Sequence, residues 1–145
     1  MSDVLTLSQI KVPGTARSKD DAIREAGEIL VTAGAVTPDY IDSMFDRERS
    51  VSTYMGNYLA IPHGTNESKE SIKRSALSVI RYPEPIDWDG NEVLFALGIA
   101  GYQGGHMDIL SRIAIVFSDT DEVDKLVAAQ SAQEIYDLLN AVNEE

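Results

Sequence analysis

Two histidines are the residues whose type and surroundings suggest chemistry in this chain. His63 lies in Leu59-Ala60-Ile61-Pro62-His63-Gly64-Thr65, and His106 follows a loop containing Gly101, Gly104 and Gly105. An imidazole with a pKa near 6.5 is a competent neutral nucleophile around pH 7. The chain is strongly acidic, with 24 Asp and Glu against 12 Lys and Arg and a formal net charge of −12. Yet residues 50–66 hold no Asp, Glu, Lys or Arg, where average charge density would place about four. Residues 93–107, with the second histidine next to their end, are also free of charge. A site that accepts a dianionic phosphoryl group cannot have carboxylates at contact distance, because like charges ~4 Å apart repel strongly outside bulk water. Buried strands lack charge for a simpler reason, and that explains residues 93–100 well. It explains residues 50–53 and 64–66 poorly.

The neighbours of His63 suit a nucleophile. Pro62 fixes its own φ and restricts Ile61, giving the ring a defined exit from the strand end. Gly64 carries no side chain, which leaves room for a partner and for a backbone N–H to approach phosphate oxygens. Thr65 adds a hydroxyl. From the residues alone, a loop histidine satisfied by its surroundings stands level with a functional one. His106 is expected to open a helix, where N–H groups favour anions, although a plain helix-terminal residue reads the same way. Arg47 and Arg49 close an earlier helix. Either is an ordinary partner for the helix dipole, or a guanidinium fork for phosphate oxygens. His63, His106 and Asp108 together also satisfy the donor types of a two-histidine, one-carboxylate metal site, so a metal-dependent hydrolase stays open as the reading from another class. The chain has no Gly-x-x-x-x-Gly-Lys-Ser/Thr loop, no Gly-x-Ser-x-Gly elbow and no His-Glu-x-x-His pair.

The elements that must carry these residues alternate in period. With 145 residues, one domain over 1–145 is expected, large enough for its own core. Cysteine is absent, which removes disulfides, thiolate metal sites and cysteine nucleophiles. Basic residues are too few for a phosphate-tracking nucleic-acid face, and no apolar run approaches the roughly 20 residues of a membrane span. The start of the chain has no signal-peptide pattern. A cytoplasmic protein is expected, without membrane insertion and without a cofactor. Residues 5–12 include a short extended candidate. Ser18 caps a helix whose apolar face is Ala22, Ile23, Ala26, Ile29, Leu30 and Ala33, ended by Gly34. Thr37-Pro38 opens a second helix with proline at the first helical position and Ile41, Met44 and Phe45 inward. Residues 58–61 are extended, and residues 66–74 are a short helix or loop. Residues 76–82 read as a strand halted by Pro83 and Pro85. Asp89-Gly90 makes a turn into 93–100, a strand buried on both faces. Helical spacing resumes over 107–117, then near 121–129. The capping box Ser131-x-x-Glu134 opens a last helix with Ile135, Leu138, Leu139 and Val142 inward. This is an α/β pattern: a mixed sheet with helices on both faces.

Asp46-Arg47-Glu48, Thr53-Tyr54-Met55-Gly56 and Leu59-Ala60-Ile61-Pro62-His63-Gly64-Thr65, followed by Gly98-Ile99-Ala100 and His106, resemble the active-site segments of enzyme IIA of the mannitol/fructose class of the bacterial phosphoenolpyruvate-dependent sugar phosphotransferase system. The mannitol branch is the more similar, through Thr-Tyr-x-Gly before the histidine and Gly-Thr after it. The resemblance implies a sheet of about five strands sandwiched between helices. It implies that His63 takes a phosphoryl group from the phosphocarrier protein HPr and passes it to a cysteine of the IIB component of a sugar permease. His106 would then stabilise the phosphoryl group and Arg47 would neutralise its charge, with a shallow apolar patch around Met55, Tyr58, Ile61 and His63 for docking, packing into the core being the alternative for Met55 and Tyr58. No IIB or IIC sequence accompanies the domain, so a free-standing protein, expected as a monomer, is implied. A regulatory, nitrogen-type relative signalling by its phosphorylation state would share the same histidine.

Overall fold

A computed structural model describes residues 4–65, 70–102 and 106–140, His106 by its backbone alone. Asn66, Gly104, Gly105 and Val142, named above, lie outside the described residues. After a 3-10 turn at Leu7–Gln9, the strands are β1 (Ile10–Lys11), β2 (Tyr54–Gly56), β3 (Leu59–Ala60), β4 (Ala76–Trp88) and β5 (Asn91–Ala100). The helices are α1 (Lys19–Thr32), α2 (Tyr40–Ser50), α3 (His106–Phe117), α4 (Thr120–Ala128) and α5 (Ala132–Leu139). One five-stranded sheet runs in the order β1-β4-β5-β3-β2. β1 is parallel to β4 and β3 to β5, while β4–β5 and β2–β3 are antiparallel. The mixed α/β sandwich expected from the alternating periods is therefore the fold.

Alternation along β4 and β5 sends side chains to two cores. Leu77, Val79, Phe95, Leu97 and Ile99 pack beneath α3, α4 and α5 with Ile109, Ile113, Leu126 and Ile135. Ala76, Ile80, Tyr82, Ala96 and Ala100 face α1 and α2 with Ile23, Ala26, Leu30 and Met44. Small residues on this second face let α1 approach closely: a Cβ on Gly98 would stand 2.5 Å from Ser78 Oγ and 3.1 Å from Ala26 Cβ. All of Val93 to Ala100 is buried, as the continuous apolar run predicts.

Local chemistry sets the element ends. Ser18 Oγ accepts from the Asp21 amide and Ser131 Oγ from the Glu134 amide, both N-caps expected from sequence. Asp89 and Gly90 take φ of 55° and 94°, the left-handed pair that a tight β4–β5 hairpin requires.

Two expectations change. β4 does not stop at Pro83 but runs on to Trp88. Its pairing with β5 shifts register between Arg81 and Ile86, and Pro83 to Pro85 bulge outward, exposed, where their missing donors cost no ladder bonds. α2 begins at Tyr40 rather than Pro38. Thr37 to Asp39 form a turn ahead of it, because the Asp39 carboxylate is engaged by the hydroxyls of Thr37 and Ser71. Inward from α2 come Tyr40, Ser43, Met44 and Glu48, with Ile41 and Phe45 only partly buried.

Candidate functional site

The site is assembled at the end of the sheet where parallel β3 and β5 both terminate. The chain leaves β3 through Ile61 and Pro62, and His63 still bridges Ile99 in parallel register. The Ile99 amide donates to the Pro62 carbonyl at 3.0 Å, and the Ile61 amide donates to the Thr53 carbonyl at 3.1 Å. The residue before the histidine is thus locked to β5, and the one before that to the start of β2. Beyond Ala100, β5 leads over a five-residue connection to His106, which opens α3. The backbones of both histidines therefore belong to segments that leave the same end of the sheet, the usual location of ligand sites in α/β folds.

The half-buried His63 ring lies with Nδ1 2.8 Å from the Ile61 carbonyl oxygen. A carbonyl oxygen only accepts, so in the neutral ring Nδ1 carries the hydrogen and the lone pair belongs to Nε2. That is the tautomer a nucleophilic Nε2 needs.

Sequence reasoning missed what holds this loop. Tyr40 Oη accepts from the Gly64 amide at 2.9 Å and donates to the Ile99 carbonyl at 2.7 Å. Ser43 Oγ accepts from the Thr65 amide at 2.8 Å and lies 3.0 Å from Thr65 Oγ1. Burial pushes the Tyr40 hydroxyl up to about 12, against a partial lowering by the Gly64 amide, so the phenol keeps its proton. The Gly64 amide, expected to face phosphate, is turned instead onto α2. The available signal was the spacing: Tyr40, Ser43 and Arg47 stand at i, i+3 and i+7, on one face of a helix.

Arg47 accordingly shares the face that meets the loop, and its Nη1 donates to the Val51 carbonyl at 2.8 Å. Arg49 points away and pairs with Asp46 at the exposed surface. The structure thus separates two arginines that residue type alone left level. Glu48 is buried and accepts from the Thr53 amide at 3.0 Å, from the Thr53 hydroxyl and from Trp88 Nε1 at 3.2 Å, with the Lys19 ammonium 3.5 Å away. It ties α2 to β2 and to the β4–β5 hairpin.

Met55 and Tyr58 are exposed, whereas Ile61, expected on the same patch, is buried in the core under α3 to α5. The tight turn between β2 and β3 explains this: Gly56, Asn57 and Tyr58 all take positive φ, which throws Tyr58 outward. Asn57 Nδ2 fastens the turn to the Phe117 carbonyl at 2.6 Å. A cavity of about 210 Å³ lies elsewhere, bordered by Lys11, Glu25 and Glu28. Asp108 is exposed on the first turn of α3. Among the described residues no group of three or more His, Asp or Glu is placed to hold a metal ion.

A family model described as phosphoenolpyruvate-dependent sugar phosphotransferase system, EIIA 2, matches residues 3–142. A mannitol-specific phosphotransferase enzyme IIA component of Halalkalibacterium halodurans is 52% identical over 141 residues, covering 97% of each chain. A protein of the same description from Staphylococcus aureus is 49% identical over 135 residues, covering 93% of this chain and 94% of its own. The solved complex of mannitol enzyme IIA with phosphorylated mannitol enzyme IIB from Escherichia coli superposes with a TM-score of 0.87 at 31% identity, covering 93% of this chain and 96% of that one.

Proposed function

Since the chain belongs to the EIIA type 2 family of the phosphoenolpyruvate-dependent sugar phosphotransferase system, we propose that His63 is its phosphoryl acceptor, loaded by the phosphocarrier protein HPr and unloaded onto a cysteine of a mannitol IIB component. The observation that carries this reading is the Nδ1 bond to Ile61, which leaves the lone pair on Nε2. Nε2 attacks the phosphorus of the donor's phosphohistidine; the new N–P bond forms as the donor's N–P bond breaks, and the donor ring keeps those electrons. In the second step a IIB thiolate attacks the same phosphorus in line, and His63 leaves as neutral imidazole. Such transfers need positioning and charge stabilisation more than covalent help. Arg47 supplies the charge: its guanidinium has five donors, and turning from the Val51 carbonyl brings a planar fork to the phosphoryl oxygens. His106 donates to the same oxygens from the start of α3. Exposed Met55 and Tyr58 offer an apolar, uncharged surface on which both partners dock in turn.

Mannitol as the sugar is supported by the descriptions of the relatives, and IIB as the partner by the solved complex that this fold superposes on. Among the described residues no helix is long and apolar enough to cross a membrane, which accords with work in the cytoplasm as one type 2 IIA domain over 1–145. The test is intact mass after incubation with phosphoenolpyruvate, enzyme I and HPr. The wild type gains one acid-labile phosphoryl group, fragmentation places it on His63, and adding mannitol IIB removes it. His63→Ala stays unlabelled while keeping its circular dichroism spectrum. Label on that variant at the wild-type level overturns the assignment.

A further inference from the structure

We propose that Tyr40 is a positioning residue for phosphoryl transfer, its hydroxyl holding the His63 loop against β5 so that the ring stays in the Nδ1–H form, with the lone pair on Nε2. The inference rests on the carrier reading of His63 and deepens it.

Ile99 is the anchor. Its amide holds Pro62 directly, and its carbonyl holds Gly64 through the phenol: Gly64 N–H to Tyr40 Oη, then Tyr40 O–H to Ile99 O. Both neighbours of His63 are thereby referred to one residue of the central sheet. Direction in this chain is unambiguous. A carbonyl only accepts, so the phenol must donate to Ile99 and accept from Gly64. Tyr40 is buried and its hydroxyl stays protonated across the working pH range.

Remove the hydroxyl and the fastening on the far side of the histidine is lost. Glycine has the widest backbone freedom of any residue, so the His63–Gly64 peptide can then rotate. The Nδ1–Ile61 contact spans only two residues, so it depends on how the His63 backbone is held, by Pro62 on one side and by Gly64 on the other. Its loss lets the proton move to Nε2 and blocks the lone pair that attacks phosphorus. The helix adds a second consequence. Tyr40, Ser43 and Arg47 stand on one face of α2, so one rigid element sets both the acceptor loop and the guanidinium that must meet its phosphoryl group. Small errors in such spacing matter: about 1 Å of misplacement can lower a rate by ~100-fold.

The test is Tyr40→Phe in the full chain, a change that keeps the ring and its packing and removes one oxygen. With HPr as the varied donor, kcat for labelling His63 falls by on the order of 10- to 100-fold, and KM stays near the wild-type value because the docking surface is untouched. Nitrogen NMR of the His63 ring, which needs no phosphoryl donor, changes from one dominant Nδ1–H tautomer to a mixture. Assays are run well below the variant's melting temperature. Should Tyr40→Phe not fold, Ser43→Ala removes the neighbouring fastening on Thr65 and lowers kcat in the same direction by a smaller factor. A wild type that takes no label overturns the carrier reading. A wild type that labels, beside a folded Tyr40→Phe with the same kcat and the same tautomer, overturns the clamp alone.

Discussion

Replacing Glu48 with alanine tests whether the carboxylate of the motif Asp46-Arg47-Glu48 is structural. The carboxylate accepts from Thr53 N–H at 3.0 Å, from the Thr53 hydroxyl and from Trp88 Nε1 at 3.2 Å, all in the interior. Alanine removes the acceptor and leaves the Thr53 amide and the indole N–H orphaned. Each buried donor without a partner costs about 1–3 kcal/mol. Lys19 is not stranded, because Asp89 holds it at 2.7 Å. The two orphans share one site and do not add fully, so a loss of about 3–5 kcal/mol is expected, a large part of the roughly 5–15 kcal/mol available to a domain. With a urea slope of about 2 kcal/mol per molar, the midpoint falls by about 2 M. Trp88 is the only tryptophan and is wholly buried, so its emission reports the unfolding directly. Glu48→Gln should cost far less, about 1 kcal/mol, since an amide oxygen still serves the two N–H donors while its NH2 meets the Thr53 hydroxyl. A shift below about 1 kcal/mol for alanine, or equal losses for alanine and glutamine, would refute the argument from orphaned donors.

Arg47→Ala should slow labelling of His63 by about 100-fold and Arg47→Lys by about 10-fold, because a lysine keeps the charge without the planar fork; single-turnover rates with phosphorylated HPr decide it, and an unchanged alanine rate assigns Arg47 to structure. His106→Ala should still accept a phosphoryl group but hand it to IIB more slowly, read as the decay of labelled protein on adding IIB; wild-type decay removes the assigned role. Glu25 contributes to the acid limb. Burial alone would raise its pKa, but Lys11, the Thr15 amide and hydroxyl, and the Tyr82 hydroxyl bring it down to about 2. A depressed carboxyl contributes stability above its unfolded pKa, and that contribution fades as pH falls from about 4.5 toward 2. Lys11 is partly exposed, so screening reduces the effect to about 1–2 kcal/mol. Urea midpoints measured from neutral pH down to pH 2 should fall more steeply for the wild type than for Glu25→Gln; parallel curves contradict it.

What the sequence made legible was local. Ser18 and Ser131 cap their helices through bonds spanning three residues, and Asp89-Gly90 supplies its own turn, so residue type alone announces each. β2 had no such signal. Its three residues pair with Leu59 and Ala60 across a turn built on positive φ at Asn57 and Tyr58, positions that non-glycine residues rarely take. Pro83 and Pro85 misled for the converse reason: they do interrupt the ladder, but a bulge lets the strand resume at Ile86. The candidate site divides along the same line. His63 stood out because an acidic chain had withheld charge from its surroundings. Tyr40 and Ser43 did not, because their partners lie 24 and 22 residues away. Their absence from the sequence reading also changes the chemistry assigned to the loop. A reading confined to 59–65 looks to the Gly64 amide for phosphoryl stabilisation. With the Gly64 and Thr65 amides both turned onto α2, the loop backbone is engaged in fastening the nucleophile. On the proposed carrier reading, stabilisation of the transferring group would then fall to side chains, above all to Arg47, which the same face of α2 presents one turn farther on.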